Sequence, residues 1–203
     1  MNKRLITDCI KLCVITLIAG LLLGLVYNVT KKPIAAQQEK TKQEAYKAVF
    51  KDAAKFEAIE LDEKDVAKVL KANDLGQNTI TEAAKAVDAS GKELGYVFSV
   101  TNPEGYGGDI SLSVGVKNDG TVNGYETLTI NETAGLGMKA KEDEFKSNFK
   151  SKKADKFEVV KDGSGKNDDA KVDAISGATI TSRAVTSGVN SCVAYAKSLK
   201  GGK

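Results

Sequence analysis

The stretch ELGYVFSVTNPEGYGGDISLSVGVKNDGTVNGYETLTI, residues 93–130, decides the fold of this chain. Leu94, Tyr96, Phe98 and Val100 occupy alternate positions, and Ile110, Leu112, Val114 and Val116 repeat the pattern after a glycine-rich break. A period of two places each set on one face of a half-buried strand. Asn118-Asp119-Gly120 tolerates the positive φ of a hairpin turn, so a third strand follows over about Thr121–Ile130. The expectation is an antiparallel sheet.

Toward the C-terminus the period lengthens. Glu142–Phe149 reads as a short helix, Phe157–Val160 as a short strand and Asp162–Lys166 as a loop. Gly163-Ser164-Gly165-Lys166 is not a nucleotide P-loop, because Val160 stands where the first glycine is required and Asn167 replaces Ser/Thr. From Ile180 to Leu199, the residues Val185, Val189, Val193, Ala196 and Leu199 form one apolar stripe, which predicts a helix packed on the sheet. Strands followed by helices give an α+β fold for residues 79–203.

Toward the N-terminus, Glu57–Asn78 is highly charged, with a short helix expected around Val66–Leu70. Residues from Ile34 to Phe56 are rich in Ala, Glu, Gln and Lys, with Ala45, Val49, Ala53 and Phe56 at helical spacing. Residues 31–78 are therefore expected to be a helical stalk and connector. Residues 12–30 lack any charge; at about 1.5 Å per residue they cover roughly 28 Å, close to a hydrocarbon core of about 30 Å. One uncleaved transmembrane helix is expected there, after a short tail at 1–11. A cleaved signal peptide is the rival reading, but Ile34-Ala35-Ala36 makes a poor cleavage site. Gly20 and Gly24 form a G-x-x-x-G that permits close approach of another membrane helix. Lysines and arginines flank both ends of the span, so charge alone does not orient it.

Thirty Lys and Arg against 27 Asp and Glu leave a net charge of +3, too balanced for a nucleic-acid-binding surface. Histidine is absent, which removes the commonest general base and metal ligand. Cys9 and Cys13 belong to or adjoin the apolar run, leaving Cys192 as the one thiol of the soluble part, so neither a disulfide framework nor a Cys-rich metal site is expected there. Redox or group-transfer chemistry on this chain requires an imported cofactor.

The segment Asp173-Ala-Ile-Ser-Gly-Ala-Thr179 joins the strand-like Lys171-Val172 to the final helix through small residues. Gly177 permits unusual backbone angles, and Ala178 leaves the Thr179 hydroxyl uncovered. Free N–H groups around Ile180–Arg183 and the helix dipole favour an anion at that point. A plainer reading is available too, in which Ser176, Thr179, Thr181 or Ser182 simply caps the helix.

This segment resembles the flavinylation motif, Asp-x-x-Ser-Gly-Ala-Thr followed by Thr or Ser, of the FMN-binding domains in the G subunit of Rnf complexes and the C subunit of sodium-pumping NADH:quinone reductases. Gly105-Tyr106-Gly107-Gly108 and Glu132-Thr133-Ala134-Gly135-Leu136-Gly137 match further motifs in the same order, behind a single anchor. The resemblance implies an FMN-binding domain at 79–203 with FMN attached through its phosphate to Thr179 by a separate FAD-dependent flavin transferase. It implies cofactor contacts from Ser176, Gly177, Ala178, Thr133, Gly135, Leu136, Gly137 and Tyr106. Asp173 is assigned either to recognition or threonine activation in the transferase complex, or to shaping the turn. Ala134 departs from the usual proline, and Asn131 lies near a common histidine position.

The implied function is electron carriage, not independent catalysis. The chain would be a redox subunit of an Rnf-type membrane complex that moves electrons between ferredoxin and NAD while translocating Na⁺ or H⁺. Its C-terminal domain would lie outside the cytoplasm, with the complex's other subunits as partners. The chain is short for the C subunit of a quinone reductase, which favours the Rnf G subunit. An anchored, non-redox binding module is the alternative of a different class.

Overall fold

A computed structural model describes residues 3–201. The chain divides into two units, one ending at Thr41 and the other beginning at Lys42. Helix α1 (Lys3–Val49) runs through both, passing Pro33 without interruption, so the expected tail, span and first part of the stalk are one helix.

In the first unit, the apolar side chains of α1 are exposed around the helix from Ile6 to Ile34. A helix apolar on all sides requires an apolar environment. Among the described residues it is the one helix long and apolar enough to cross a membrane. Its threonine hydroxyls are satisfied internally: Thr16 Oγ1 donates to Leu12 O at 3.0 Å and Thr30 Oγ1 to Val26 O at 2.9 Å. This is what a polar group in hydrocarbon requires.

The second unit is built on a five-stranded antiparallel sheet, β1 (Lys55–Ile59), β2 (Thr79–Val87), β3 (Glu93–Gly105), β4 (Gly108–Lys117) and β5 (Val122–Thr129), in sequence order. The three strands expected from alternation are β3, β4 and β5. Two more precede them. β1 lies inside the stretch read as connector, and α2 (Glu63–Ala72) follows it, started by Asp62, whose carboxylate accepts from Lys64 N at 2.8 Å.

One sheet face carries Ile80, Phe98, Val100, Ile110, Leu112, Val114 and Val116 and forms the main core with α4 (Thr179–Gly201) and α2. α4 contributes Val185, Val189, Cys192 and Val193, all fully buried. Burying each such aliphatic side chain is worth about 1.5–3 kcal/mol, and burial pushes the Cys192 thiol pKa well up. The other face carries Ala84, Ala86 and Val97, covered by Tyr46, Val49 and Phe50 from the end of α1 and just beyond it.

The connection from β5 to α4 is irregular. After a 3-10 turn (Gly137–Lys141), a single helical turn, α3 (Asp143–Lys146), stands where a helix was expected over Glu142–Phe149. β6 (Glu158–Val160) and β7 (Lys171–Asp173) then pair in parallel. Asn190 on α4 pins this second sheet: its Oδ1 accepts from Phe157 N at 2.8 Å and its Nδ2 donates to Phe157 O at 2.9 Å. β7 thereby delivers the chain to the start of α4.

Candidate functional site

Between β7 and α4 the backbone makes one tight turn. Ala178 N donates to Ile175 O at 2.9 Å, with Gly177 in the third position at φ +76°. That left-handed value is what a type II turn demands, and glycine adopts it without strain. Ser182, fully buried one turn into α4, holds the turn in place. Its hydroxyl accepts from Ile175 N at 3.0 Å and donates to Ala178 O at 2.9 Å.

Ala178 O also accepts the first helical hydrogen bond, from Ser182 N at 3.0 Å. The cap position therefore belongs to Ala178, which has no side-chain acceptor. The capping reading of the Ser/Thr cluster is not what the structure adopts: Ser182 clasps the turn instead, and the first N–H groups of α4 receive no hydroxyl from it. Thr179, half-buried, stands at the helix start beside those donors.

A second turn faces the first. Leu136 N donates to Thr133 O at 3.1 Å, with Gly135 in the third position at φ +77°. A β-carbon placed on Gly177 would lie 3.0 Å from Leu136 Cδ2, so the two turns touch. The third motif, Gly105–Gly108, is the tight connection between β3 and β4 and carries Tyr106 at its tip.

These three segments enclose a cleft of about 550 Å³ lined by Tyr106, Glu132, Thr133, Leu136, Gly137 and residues 177–181. Of the residues singled out in the sequence, Tyr106, Thr133, Leu136, Gly137, Gly177, Ala178 and Thr179 come together here. Gly135 shapes the turn without lining the cleft. Ser176 and Asp173 line a separate hollow of about 360 Å³, with Lys139, Glu142, Glu144 and Lys166. There Asp173 Oδ1 accepts from Gly165 N at 3.0 Å and Asp173 N donates to Asn148 Oδ1 at 3.1 Å. Asp173 thus acts within the fold as a clamp on the Gly163–Lys166 turn.

Three lining residues, Glu132, Ile180 and Thr181, are not among the cofactor contacts expected from the sequence. Glu132 and the two helix residues adjoin or belong to the motifs, but only the closure of the two turns on each other turns them toward one space. The cleft is unusual in its apolar exposure. Beyond α1, the exposed large hydrophobic side chains among the described residues are Tyr106, Leu136 and Ile180, at 72%, 42% and 53%, and all three line it.

Comparison with known proteins bears on this cleft. The FMN-binding domain family matches residues 105–194, which span all three motifs. The G subunit of the proton-translocating ferredoxin:NAD(+) oxidoreductase complex of Clostridium ljungdahlii is 35% identical over 186 residues, covering 92% of this chain and 88% of that protein. The G subunit of the Na(+)-translocating ferredoxin:NAD(+) oxidoreductase complex of Acetobacterium woodii is 35% identical over 88% of this chain and 85% of its own length. The G subunit of an ion-translocating oxidoreductase complex of Methanosarcina acetivorans is 32% identical over 98% of both chains.

Proposed function

The chain belongs to the G-subunit family of ion-translocating oxidoreductase complexes, and from that premise we propose that it is a membrane-anchored electron carrier whose FMN is esterified through its phosphate to Thr179. It serves as a redox subunit of an Rnf-type complex coupling electron transfer between ferredoxin and NAD to translocation of Na⁺ or H⁺. Its partners are the other subunits of that complex, and its C-terminal domain lies on the extracytoplasmic side.

The observation that carries this reading is the gathering of Tyr106, Leu136 and Ile180 around Thr179. Three large apolar side chains exposed together in one cleft mark it as a binding surface, and a flat apolar ring would cover them. The dimensions suit a flavin ring, since ligand clefts occupy about 300–1,000 Å³. The polar groups suit it as well. Glu132 Oε1 is buried without a hydrogen-bond partner, and Thr179 begins a helix of 23 residues whose first N–H groups are available to a phosphate.

FMN, when held, supplies a ring able to pass electrons singly or in pairs. The protein's residues supply the rest. Leu136 and Ile180 exclude water from one region of the cleft, Tyr106 offers an aromatic face at its mouth, and the Ser176-Gly177 turn, clasped by Ser182, fixes where Thr179 presents its oxygen. A covalent tether replaces affinity by a fixed local concentration, so the carrier keeps its cofactor through many cycles.

Attachment requires help, because a threonine hydroxyl is a weak nucleophile. An FAD-dependent flavin transferase meets the need. Thr179 Oγ1 forms a bond to the FMN-side phosphorus of FAD, the pyrophosphate P–O bond breaks, AMP leaves and the hydroxyl proton is released. The test is to produce the full chain with and without an active transferase and to measure peptide masses. The peptide containing Thr179 is expected to gain the mass of FMN less water, and only with the transferase; an unmodified peptide beside a transferase proven active on another substrate would refute the attachment.

A further inference from the structure

The Glu132 carboxylate is an anomaly in a cleft that is otherwise apolar or hydroxyl-lined. It is the one carboxylate among the lining residues, and that lining includes no lysine or arginine. Oε1 is shielded from solvent and accepts no hydrogen bond. The side chain is closely hemmed: a β-carbon on Gly105 would lie 2.9 Å from Oε1, and one on Gly137 would lie 2.7 Å from Oε2. That same point beside Gly137 is 2.6 Å from Thr181 Oγ1, on the first turn of α4. Glycines at 105 and 137 thus leave the space in which the carboxylate is held, and any side chain there would displace it.

A buried acceptor with no protein partner is normally lost or satisfied, because desolvating it without a hydrogen bond is unfavourable. Its presence inside the cleft points to a ligand-directed role. Electrostatics gives the role a sign. In a partly desolvated site, a negative charge interacts with a neighbouring ring far more strongly than it would in water. Reduction adds electron density to that ring, so an uncompensated carboxylate opposes it.

We propose that Glu132 sets the reduction potential of the bound flavin, its unpaired carboxylate favouring the oxidised ring over the reduced one and so making the carrier a stronger electron donor. This rests on the cleft being the flavin site. Its physical content is separate from attachment, because Glu132 is in a different loop from Thr179 and contributes charge, not a bond.

The decisive measurement is spectroelectrochemical titration of the flavin-loaded full chain, comparing wild type with E132Q and E132A. Both variants remove the charge, the first with nearly the same shape, and both are expected to shift the midpoint potential upward. A companion measurement uses Thr179→Ala protein, which has no attachment point. Oxidised and reduced FMN are titrated into it separately, with and without E132Q. Reduced FMN is expected to gain affinity relative to oxidised FMN when the charge is removed, which tests the same sign even in a variant that the transferase does not modify. Thermal unfolding of these apo proteins completes the set, with E132Q melting no lower than its parent.

An unchanged or lowered potential in both loaded variants, an unchanged ratio of affinities, or a marked fall in apo melting temperature would each overturn the proposal. The last would assign Glu132 to folding. Wild-type protein that binds no flavin in either form would refute the carrier reading itself, a result distinct from all of these.

Discussion

Two hollows share the segment from Asp173 to Thr181, and they differ in almost every physical respect. The first, lined by Asp173 to Ser176, is charged: Lys139, Glu142, Glu144 and Lys166 also line it, and Asp173 is hydrogen-bonded to Gly165 N through its carboxylate and to Asn148 Oδ1 through its backbone N–H. The second, lined from Gly177 onward, is apolar and leaves a buried carboxylate oxygen without a partner. The division falls at the Ser176-Gly177 turn. One motif of seven residues therefore contains two parts, a hydrogen-bonded half that builds the backbone and a half that borders the cleft holding the unpartnered Glu132 oxygen.

The sharpest way to break this division is to alter one residue on each side. Thr179→Ala should abolish covalent flavin completely while leaving the domain folded, whereas Asp173→Asn should keep the modification on protein that has folded. Peptide mass measurements with matched circular dichroism decide it. Retention of flavin by Thr179→Ala, or its complete loss from well-folded Asp173→Asn, would erase the distinction.

Next in size is the clasp between the halves. Ser182→Ala removes the acceptor for Ile175 N and leaves that donor buried, which costs about 1–3 kcal/mol. For a unit of this size the melting temperature should fall by about 2–4 °C per kcal/mol. Calorimetry of the apo protein measures this, and a change below the noise would show that the turn holds itself.

A smaller effect of opposite sign is expected in the facing turn. Ala134 occupies the second position of the Thr133–Leu136 turn, where type II geometry favours proline. Ala134→Pro should stabilise the protein by about 0.4–1 kcal/mol by restricting the unfolded chain. Denaturant titration gives the sign directly. Destabilisation would mean that the backbone at 134 does not have the proline-compatible angle.

The smallest effect concerns pH. The Asp162 carboxyl is held below the ordinary carboxylate range, first by the Ser164 hydroxyl and then by backbone N–H groups. A lowered pKa in the folded state means that this contribution is present above the unfolded value, about 3.9, and is lost as pH falls through the folded one. Acidification should loosen the 162–166 turn, on the charged side, with the cleft unaffected. Followed from pH 5 downward, the amide resonance of Gly165 should move while that of Gly177 stays in place.

The same contrast between local and distant causes separates what could be read in advance from what could not. β3, β4 and β5 were legible because every second residue is large and apolar. β2 was not, because the register shifts between Ile80 and Glu82, so that Ile80 and Ala83 share the main core while Ala84 and Ala86 join the opposite face. A bulge of that kind erases the period of two. β1 is an edge strand in a charged setting, with only Phe56 and Ile59 withdrawn from solvent. The three glycine-rich motifs were legible at the site, since their composition is local. The assignment of Asp173 and Ser176 to a different hollow was not, because it depends on a single turn and on residues as distant as Asn148 and Gly165.

Cys192 gives the molecule a clock. It is fully buried in the main core, with its thiol pKa raised, while Cys9 and Cys13 are exposed on α1. A thiol reagent added to native protein can reach Cys192 only when α4 separates from the sheet, so labelling at that position times the opening of the core. Run with and without flavin, the same clock would report how far a cofactor held at the start of α4 slows the release of a thiol between three and four turns further along it.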